Sequence, residues 1–496
     1  MELWNMFLPW ISIATATSLT VGMASAFAII YAPLLLSFLR LKTARRNMPP
    51  IPPGSMGMPF WGESLGYLGS WNNQSNPDVW YDTRKAKHGK IFTTHILGSP
   101  TVVMLGPDAN RFILINENKL FLNSWPKSLN ALIGKHALIT SQGAEHKRMR
   151  RIIHSVLGPE TLKLAVGRFE GLVLHHLDSD WHGGQIIQAY RQVKDMALCL
   201  AADFFMGLKP GKELETFRRH FSDFSAGLLS HPLDLPWTVF GKAKRARAAM
   251  VAQIFAQIRL HRTSMHKSGE EGGNFLDMVL GSQEKGGDLR LSEEEIADNL
   301  MGLLTGGQDT TASALATILK HLSLSPHLLQ RLRKECEKLR DSKEVGEPLT
   351  WSELKSVGYL HNVISEGLRM VAPINGGFKK AKVDVVYGGY TIPKGWKVHY
   401  SVRQTNNKEE YFPSPERFDP DRFNERHEPF SFIPFGQGNR MCPGNEFARL
   451  EMELFLYHLV LRYDWELMEV DERTNMYFIP HPVHSLPLLL KHVPPT

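Results

Sequence analysis

Phe435-Gly-Gln-Gly-Asn-Arg-Met-Cys442-Pro-Gly444 is the stretch around which the rest of the 496-residue chain is read. Glycines at 436, 438 and 444 remove side chains where backbone must pass close to a flat ligand. Arg440 places a cation two residues before the sulfur, and residues from Asn445 to about Leu461 have the apolar spacing of a long helix. The first turn of that helix would point free N–H groups and a positive dipole end at Cys442. A thiolate held in this way suits an iron with one axial protein ligand. The plain alternative is a buried structural thiol in a tight turn.

Composition sets bounds on the reading. Hydrophobic residues make up 43% and charged residues 22%, values of a globular protein with enough length for a large core. Three scattered cysteines exclude a disulfide framework and point to a reducing compartment. Cys199 sits in the apolar run Met196-Ala-Leu-Cys-Leu-Ala-Ala and reads as core; Cys336 sits in the charged run Arg331-Leu-Arg-Lys-Glu-Cys-Glu-Lys and reads as incidental. The net charge of +7 is spread along the chain without a Lys/Arg block or nucleic-acid motif, so nucleic acid is not an expected partner. A basic face toward an acidic protein or anionic lipid is.

No charged residue occurs from Leu3 to Leu39, while about 20 apolar residues suffice to cross a bilayer. Arg40, Lys42, Arg45 and Arg46 follow, which holds the body on the cytosolic side by the positive-inside tendency. A cleaved signal would need a short apolar region and a small-residue cleavage site that the run lacks. Met48-Pro-Pro-Ile-Pro-Pro-Gly54 is then a stiff connector, because proline fixes φ and removes donors. The expected organisation is a membrane anchor at 1–40, a basic and proline-rich hinge at 41–54, and a catalytic body at 55–496.

Beyond the hinge the pattern is mainly helical. Strand-like alternation is confined to Lys90–Ile96, Thr101–Met104, Val383–Ile392 and Lys397–Ser401. Ser292-Glu-Glu-Glu295 is a capping box opening a helix that reaches to about Leu322. In its middle stands Gly306-Gly-Gln-Asp-Thr-Thr311, where each glycine costs the helix roughly 1 kcal/mol. Glycines followed by an acid and hydroxyls weaken the helical ladder and open a groove. In iron–oxygen chemistry a Thr/Asp pair there can relay the protons that the reaction consumes. A kinked buried helix is the bland reading. Glu366-Gly-Leu-Arg369 puts carboxylate and guanidinium on one helix face, an arrangement usually worth little at a surface. No Gly-x-Gly-x-x-Gly opens a dinucleotide fold, so electrons must come from another protein.

The run Phe435-x-x-Gly438-x-Arg440-x-Cys442-x-Gly444 resembles the heme-binding loop of the cytochrome P-450 monooxygenases. The resemblance extends from the hinge to the C-terminus, and it implies the family's mainly α fold with small β-sheets, preceded by one N-terminal transmembrane helix. It implies heme b with Cys442 as axial ligand to the iron. Asp309 and Thr310 take the role of the oxygen-activation pair. Phe418-Asp-Pro-Asp-Arg422-Phe resembles the family's second arginine motif, more closely in spacing than Pro415-Glu-Arg417-Phe, so Glu366, Arg369 and Arg422 form a structural network beneath the loop. Arg440, Arg150, His146 (where many members have Trp) and Lys379 (where related plant enzymes have Arg) are placed at the heme propionates; lysine there offers a point charge without a fork. Leu303, Leu304, Ala372, Ile374, Asn375, Phe478 and Ile479 are expected to line the substrate pocket, roofed by residues around Leu120–Leu132.

Several stretches are similar to the plant clan that oxidises sterols and terpenoids, among them Pro53-Gly-Ser-Met-Gly-Met-Pro-Phe-Trp-Gly-Glu63 and Gly389-Tyr-Thr-Ile-Pro-Lys-Gly-Trp396. His458-Leu-Val-Leu-Arg-Tyr-Asp-Trp-Glu-Leu resembles plant steroid 22-hydroxylases, and Ser124-Trp-Pro-Lys-Ser the taxane and triterpene hydroxylases. The expected activity is hydroxylation of a plant sterol or steroid with O2, a di- or triterpenoid being the alternative. The expected partners are an NADPH-cytochrome reductase, a hydrophobic small molecule and lipid of the endoplasmic reticulum. A heme-thiolate isomerase or a non-catalytic heme protein is a further alternative, but related isomerases lose the acid/hydroxyl pair that Asp309-Thr310 preserves.

Overall fold

The computed structural model describes residues 48–58, 61–72, 76–268, 273–284, 290–344 and 346–493. They fall into two compact units. One joins residues 48–52 to 385–392; within it Thr391 donates its backbone N–H to the Pro50 carbonyl and its hydroxyl to the Pro49 carbonyl. The other holds 53–384 and 393–493 and carries the site. The anchor expected at Leu3–Leu39 lies outside the described residues. Among the described residues no helix is long and apolar enough to cross a membrane.

Five helices of the larger unit position the site: α1 (Gly143–Val156), α2 (Ala189–Met206), α3 (Glu293–Leu324), α4 (Gly358–Met370) and α5 (Asn445–Arg462). The expected capping box starts α3: Ser292 Oγ accepts from the Glu295 N–H and Glu295 Oε2 accepts from the Ser292 N–H. Such reciprocal caps stabilise a helix by about 1 kcal/mol. The helix continues unbroken through Gly306-Gly307 for 32 residues. That length is sustained by packing, because Ile296, Leu300, Leu304, Leu315 and Leu319 bury one side against the core. Helix α4 lies against α3 at a glycine: a Cβ on Gly367 would meet Ile318 Cγ1 at 2.3 Å. Helix α5 is central: from Leu450 to Tyr457 every residue is buried, Glu451 and Glu453 included. Its Phe447 ring contacts those of Phe169, Phe204 and Phe205 at centroid distances of 5.2–5.5 Å.

A mixed sheet closes one side. Strands β1 (Ile91–Ile96), β2 (Ser99–Met104), β3 (Phe121–Asn123), β4 (Gly376–Ala381) and β5 (Lys397–Ser401) are ordered β1-β2-β5-β4-β3, with only β2 and β5 parallel. Leu97 and Gly98 turn β1 into β2 with φ of 50° and 70°. The alternation read at 90–104 and 397–401 marks these strands. The stretch Val383–Ile392 instead divides into Val385–Tyr387 and Tyr390–Ile392, paired about Gly388-Gly389. Strands β3 and β4 carried no alternation signal, because β4 buries a lysine, Lys379, where an apolar residue is expected.

The three cysteines are unpaired. Cys336 is fully buried rather than incidental, since it falls on the same helix stripe as Leu329 and Leu332. Burial pushes its thiol up to about 12 and that of Cys199 up to about 11, so neither is a reactive thiolate.

Candidate active site

The loop before α5 is folded tightly around Cys442. Its backbone N–H donates to the Phe435 carbonyl at 2.8 Å, and Met441 N–H donates to Gly438 O at 3.1 Å. Gly436 and Gly438 have φ of 69° and 74°. Gly438 also passes under the Leu114 carbonyl, which a Cβ would meet at 2.7 Å, so both conformation and space require glycine there. Phe435 is half-buried, with the Arg449 guanidinium 5.2 Å from its ring centre. Burial raises the Cys442 thiol above its ordinary value; the Gly444 N–H and the Arg150 charge pull the other way. Bound metal deprotonates such a sulfur outright.

Four basic side chains converge beside the loop. Arg150, on α1, donates to the Met441 carbonyl. Arg440 donates to the Ser141 carbonyl at 2.7 Å. Lys379, on β4, reaches Asn123 Oδ1 at 2.5 Å. His146, one turn before Arg150, is buried with Nδ1 unpartnered. Desolvation first, then Arg440, Arg150 and Lys379, push its pKa down to about 4, so it is neutral near pH 7. Glu117 lies among them. Its side chain is fully buried, and Oε1 is 2.9 Å from Lys379 Nζ and, as a charge contact rather than an aligned hydrogen bond, 3.0 Å from Arg440 Nε. No local pattern singles out Glu117: its counter-charges lie 262 and 323 residues downstream and meet it only through β3–β4 pairing and the loop.

The structure brings Glu366, Arg369 and Arg422 together. Arg369 grips Glu366 with two hydrogen bonds of 2.7 and 2.9 Å, both side chains fully buried. Arg422 Nε adds a third at 3.1 Å. The cations also hold backbone: Arg369 donates to Asn406 and Pro415 carbonyls, and Arg422 to that of Pro413. Arg417 offers only its carbonyl to this network.

On α3, Gly306, Thr310 and half-buried Leu303 share one face, and nothing lies within 4 Å of a Cβ built on Gly306. Thr310 Oγ1 donates to the Gly306 carbonyl at 2.6 Å, leaving its oxygen free to accept. Asp309 is paired with Lys194 of α2 at 2.6 Å. Leu304 points the other way and is fully buried in the main core, because it follows the Gln308–Thr311 side of the helix. Ala372 likewise packs into a small core with Leu114, Val402 and Ile433. These two are therefore removed from the expected lining. Ile374 is exposed, Ile479 is half-buried, and Phe478 occupies a turn at φ 61°. Asn375 is buried with both amide atoms unpartnered.

The cytochrome P-450 family model matches residues 52–182 and 189–489. The chain belongs to the cytochrome P-450 family. It is 36% identical over 442 residues to the abscisic acid 8'-hydroxylase CYP707A1 of Solanum lycopersicum, spanning 89% of this chain and 90% of that protein. It is 35% identical over 465 residues to a beta-amyrin 28-monooxygenase of Solanum lycopersicum, spanning 92% and 96%. Among solved structures, the retinoic acid bound cyanobacterial CYP120A1 superposes with a TM-score of 0.79 at 32% identity, over 90% of this chain and all of that one. This P-450 is accordingly a monooxygenase whose cofactor is a heme-thiolate iron.

The residues present suit that group. A single sulfur stands at the start of α5, glycines clear the loop beside it, and the cations Arg150, Arg440 and Lys379 offer donors for carboxylates. The unpartnered Nδ1 of buried His146 is a polar atom that a bound carboxylate would satisfy.

The Glu366 network yields a test. Glu366→Gln removes the anion that pairs with the buried Arg369 guanidinium and with Arg422, a change expected to cost about 3–5 kcal/mol. Purified variant protein should show a lowered Tm and a heme-to-protein ratio well below one. Full heme occupancy with an unchanged Tm would contradict the role given to this network.

Proposed function

We propose that this P-450 hydroxylates a polycyclic isoprenoid, with a di- or triterpenoid placed first and a plant sterol or steroid second. The order reverses the one expected from the sequence. The relatives named above act on abscisic acid and beta-amyrin, which favours the terpenoid skeleton. The open face of α3 carries the reading: Leu303, Gly306 and Thr310 give an apolar wall with one hydroxyl, suited to holding a C–H bond and poorly suited to a charged or sugar-bearing molecule. Asn375 adds a buried amide that one hydroxyl or carbonyl of the substrate would satisfy.

Cys442 is the proposed residue whose thiolate would hold the heme iron, with Phe435, Gly438, Arg440 and Gly444 shaping its loop. Arg150, Lys379, Arg440 and His146 are the proposed propionate partners. Bound in this cradle, the heme supplies reductive activation of O2, with one oxygen atom entering the substrate as C–OH and the other leaving as water after two electrons and two protons are consumed. The protein's share is to deliver protons and exclude excess water. The Thr310 hydroxyl proton is committed to the Gly306 carbonyl, so its oxygen accepts from a water or substrate in the groove. Asp309 is held toward the α2–α3 seam by Lys194, both partly solvent-accessible, so its carboxylate can exchange protons with bulk water.

Thr310→Ala should leave substrate binding intact while lowering product formed per NADPH toward the roughly 100-fold loss typical of a missing proton-transfer group. Peroxide release should rise in step. Unchanged coupling would remove Thr310 from the relay.

For the substrate, microsomes carrying this protein and a plant reductase should be offered beta-amyrin, taxadiene, campesterol, cholesterol and abscisic acid separately. Type I spectral shifts and hydroxylated products are expected with beta-amyrin or taxadiene. Turnover confined to the sterols or to abscisic acid would overturn the terpenoid assignment, and product without NADPH would favour an isomerase.

We further propose an uncleaved anchor at 1–40, a hinge at 41–54, a body at 55–496 facing the cytosol from the endoplasmic reticulum, and an NADPH-cytochrome reductase as electron donor. The uncharged run Leu3–Leu39 and the basic residues after it support this placement. Deleting residues before Met48 should shift most protein to the soluble fraction with heme retained. Protection of the body from added protease in intact microsomes would reverse the orientation.

A further inference from the structure

We infer that Glu117 is a positioning residue that sets the charge of the heme cradle and so the reduction potential of the bound iron. The inference rests on the reading of the Cys442 loop as that cradle.

The observations are geometric. Glu117 is fully buried at the isolated bridge that pairs it with Phe121, just before β3. Oε1 faces Lys379 and Arg440 at 2.9 and 3.0 Å, while Oε2 has no hydrogen-bond partner. Lys379 is fixed from a second side by Asn123, and Arg440 by the Ser141 carbonyl. A carboxylate so enclosed orients both cations while cancelling one of their charges.

The charges of the cluster can be counted. Lys379, Arg440 and Arg150 are cationic, Glu117 is anionic, and His146, with its pKa near 4, is neutral. The Tyr400 hydroxyl is raised by burial and then by Glu117, so it is neutral as well. Two positive charges remain. Heme b brings two propionates, so cradle and cofactor periphery balance only with Glu117 present. In a low-dielectric interior an uncancelled unit charge acts strongly on a neighbouring charged centre. A surplus positive charge favours the reduced iron, which carries one electron more, and a deficit disfavours it.

The experiment is a one-electron reductive titration with dithionite and redox dyes, on heme-loaded full-length protein without substrate. Glu117→Gln keeps shape and loses charge, and its midpoint should move to more positive potential. Glu117→Asp keeps the charge and should stay near wild type. Lys379→Met should move the midpoint negative. The double variant Glu117→Gln/Lys379→Met restores two net positive charges, and its midpoint should return to near wild type. Heme retention against apomyoglobin at low and high salt gives a second readout, with Lys379→Met losing heme faster than the double variant. An unmoved midpoint in Glu117→Gln overturns the inference, and so does a double variant that departs from wild type by more than either single one. Should Glu117→Gln fail to fold, Lys379→Met decides: no negative shift overturns it. A wild-type protein without the thiolate-type reduced carbon-monoxide band would instead refute the cradle reading itself.

Discussion

The bidentate contact between Arg369 and Glu366 is the interaction on which the rest of this molecule depends. Two fully buried opposite charges would be a poor source of net stability by themselves. Their value lies in the remaining donors, which tie the end of α4 to the carbonyls of Asn406 and Pro415, while Arg422 ties Glu366 to Pro413. Long irregular chain between β5 and α5 has few ladder hydrogen bonds of its own. Charge-assisted contacts from Arg369 and Arg422 brace its first part, from Asn406 to Arg422.

The upper boundary of the site is set by a different economy of side chains. Helix α3 tolerates Gly306-Gly307 because its N-terminus is capped and its far side is buried over most of 32 residues. The local weakness is confined to the face that the substrate needs clear. Asp309 and Thr310 then differ in kind: one is engaged outward by Lys194, the other inward by its own helix backbone.

Much of this was legible in the sequence because it depends on short spacings. The capping box, the i, i+3 pair at Glu366 and Arg369, and the glycine positions of the loop each follow from local geometry. The choice of Arg422 over Arg417 rested on motif spacing, and Arg422 is the one whose guanidinium reaches Glu366. What stayed hidden depends on distant chain meeting in space. Glu117 gained meaning only beside Lys379 and Arg440. Strand β4 is masked by its buried lysine, and Leu304 turns from the face of Leu303 into the core because adjacent helix positions differ by about 100° in direction. Cys336 was concealed by the charged residues flanking it, although its own stripe is apolar.

The close passage of Gly438 beneath the Leu114 carbonyl has a consequence for redesign. Leu114 lies in the last turn of the helix Pro107–Ile115, and Glu117 follows two residues after that helix closes. One short rigid run therefore serves as a common ruler for the sulfur-bearing loop and for the cations beside it. Grafting the Cys442 loop alone onto a related scaffold would transplant the ligand without its gauge. Segments 107–117 and 435–444 form a single module, to be exchanged together or left together.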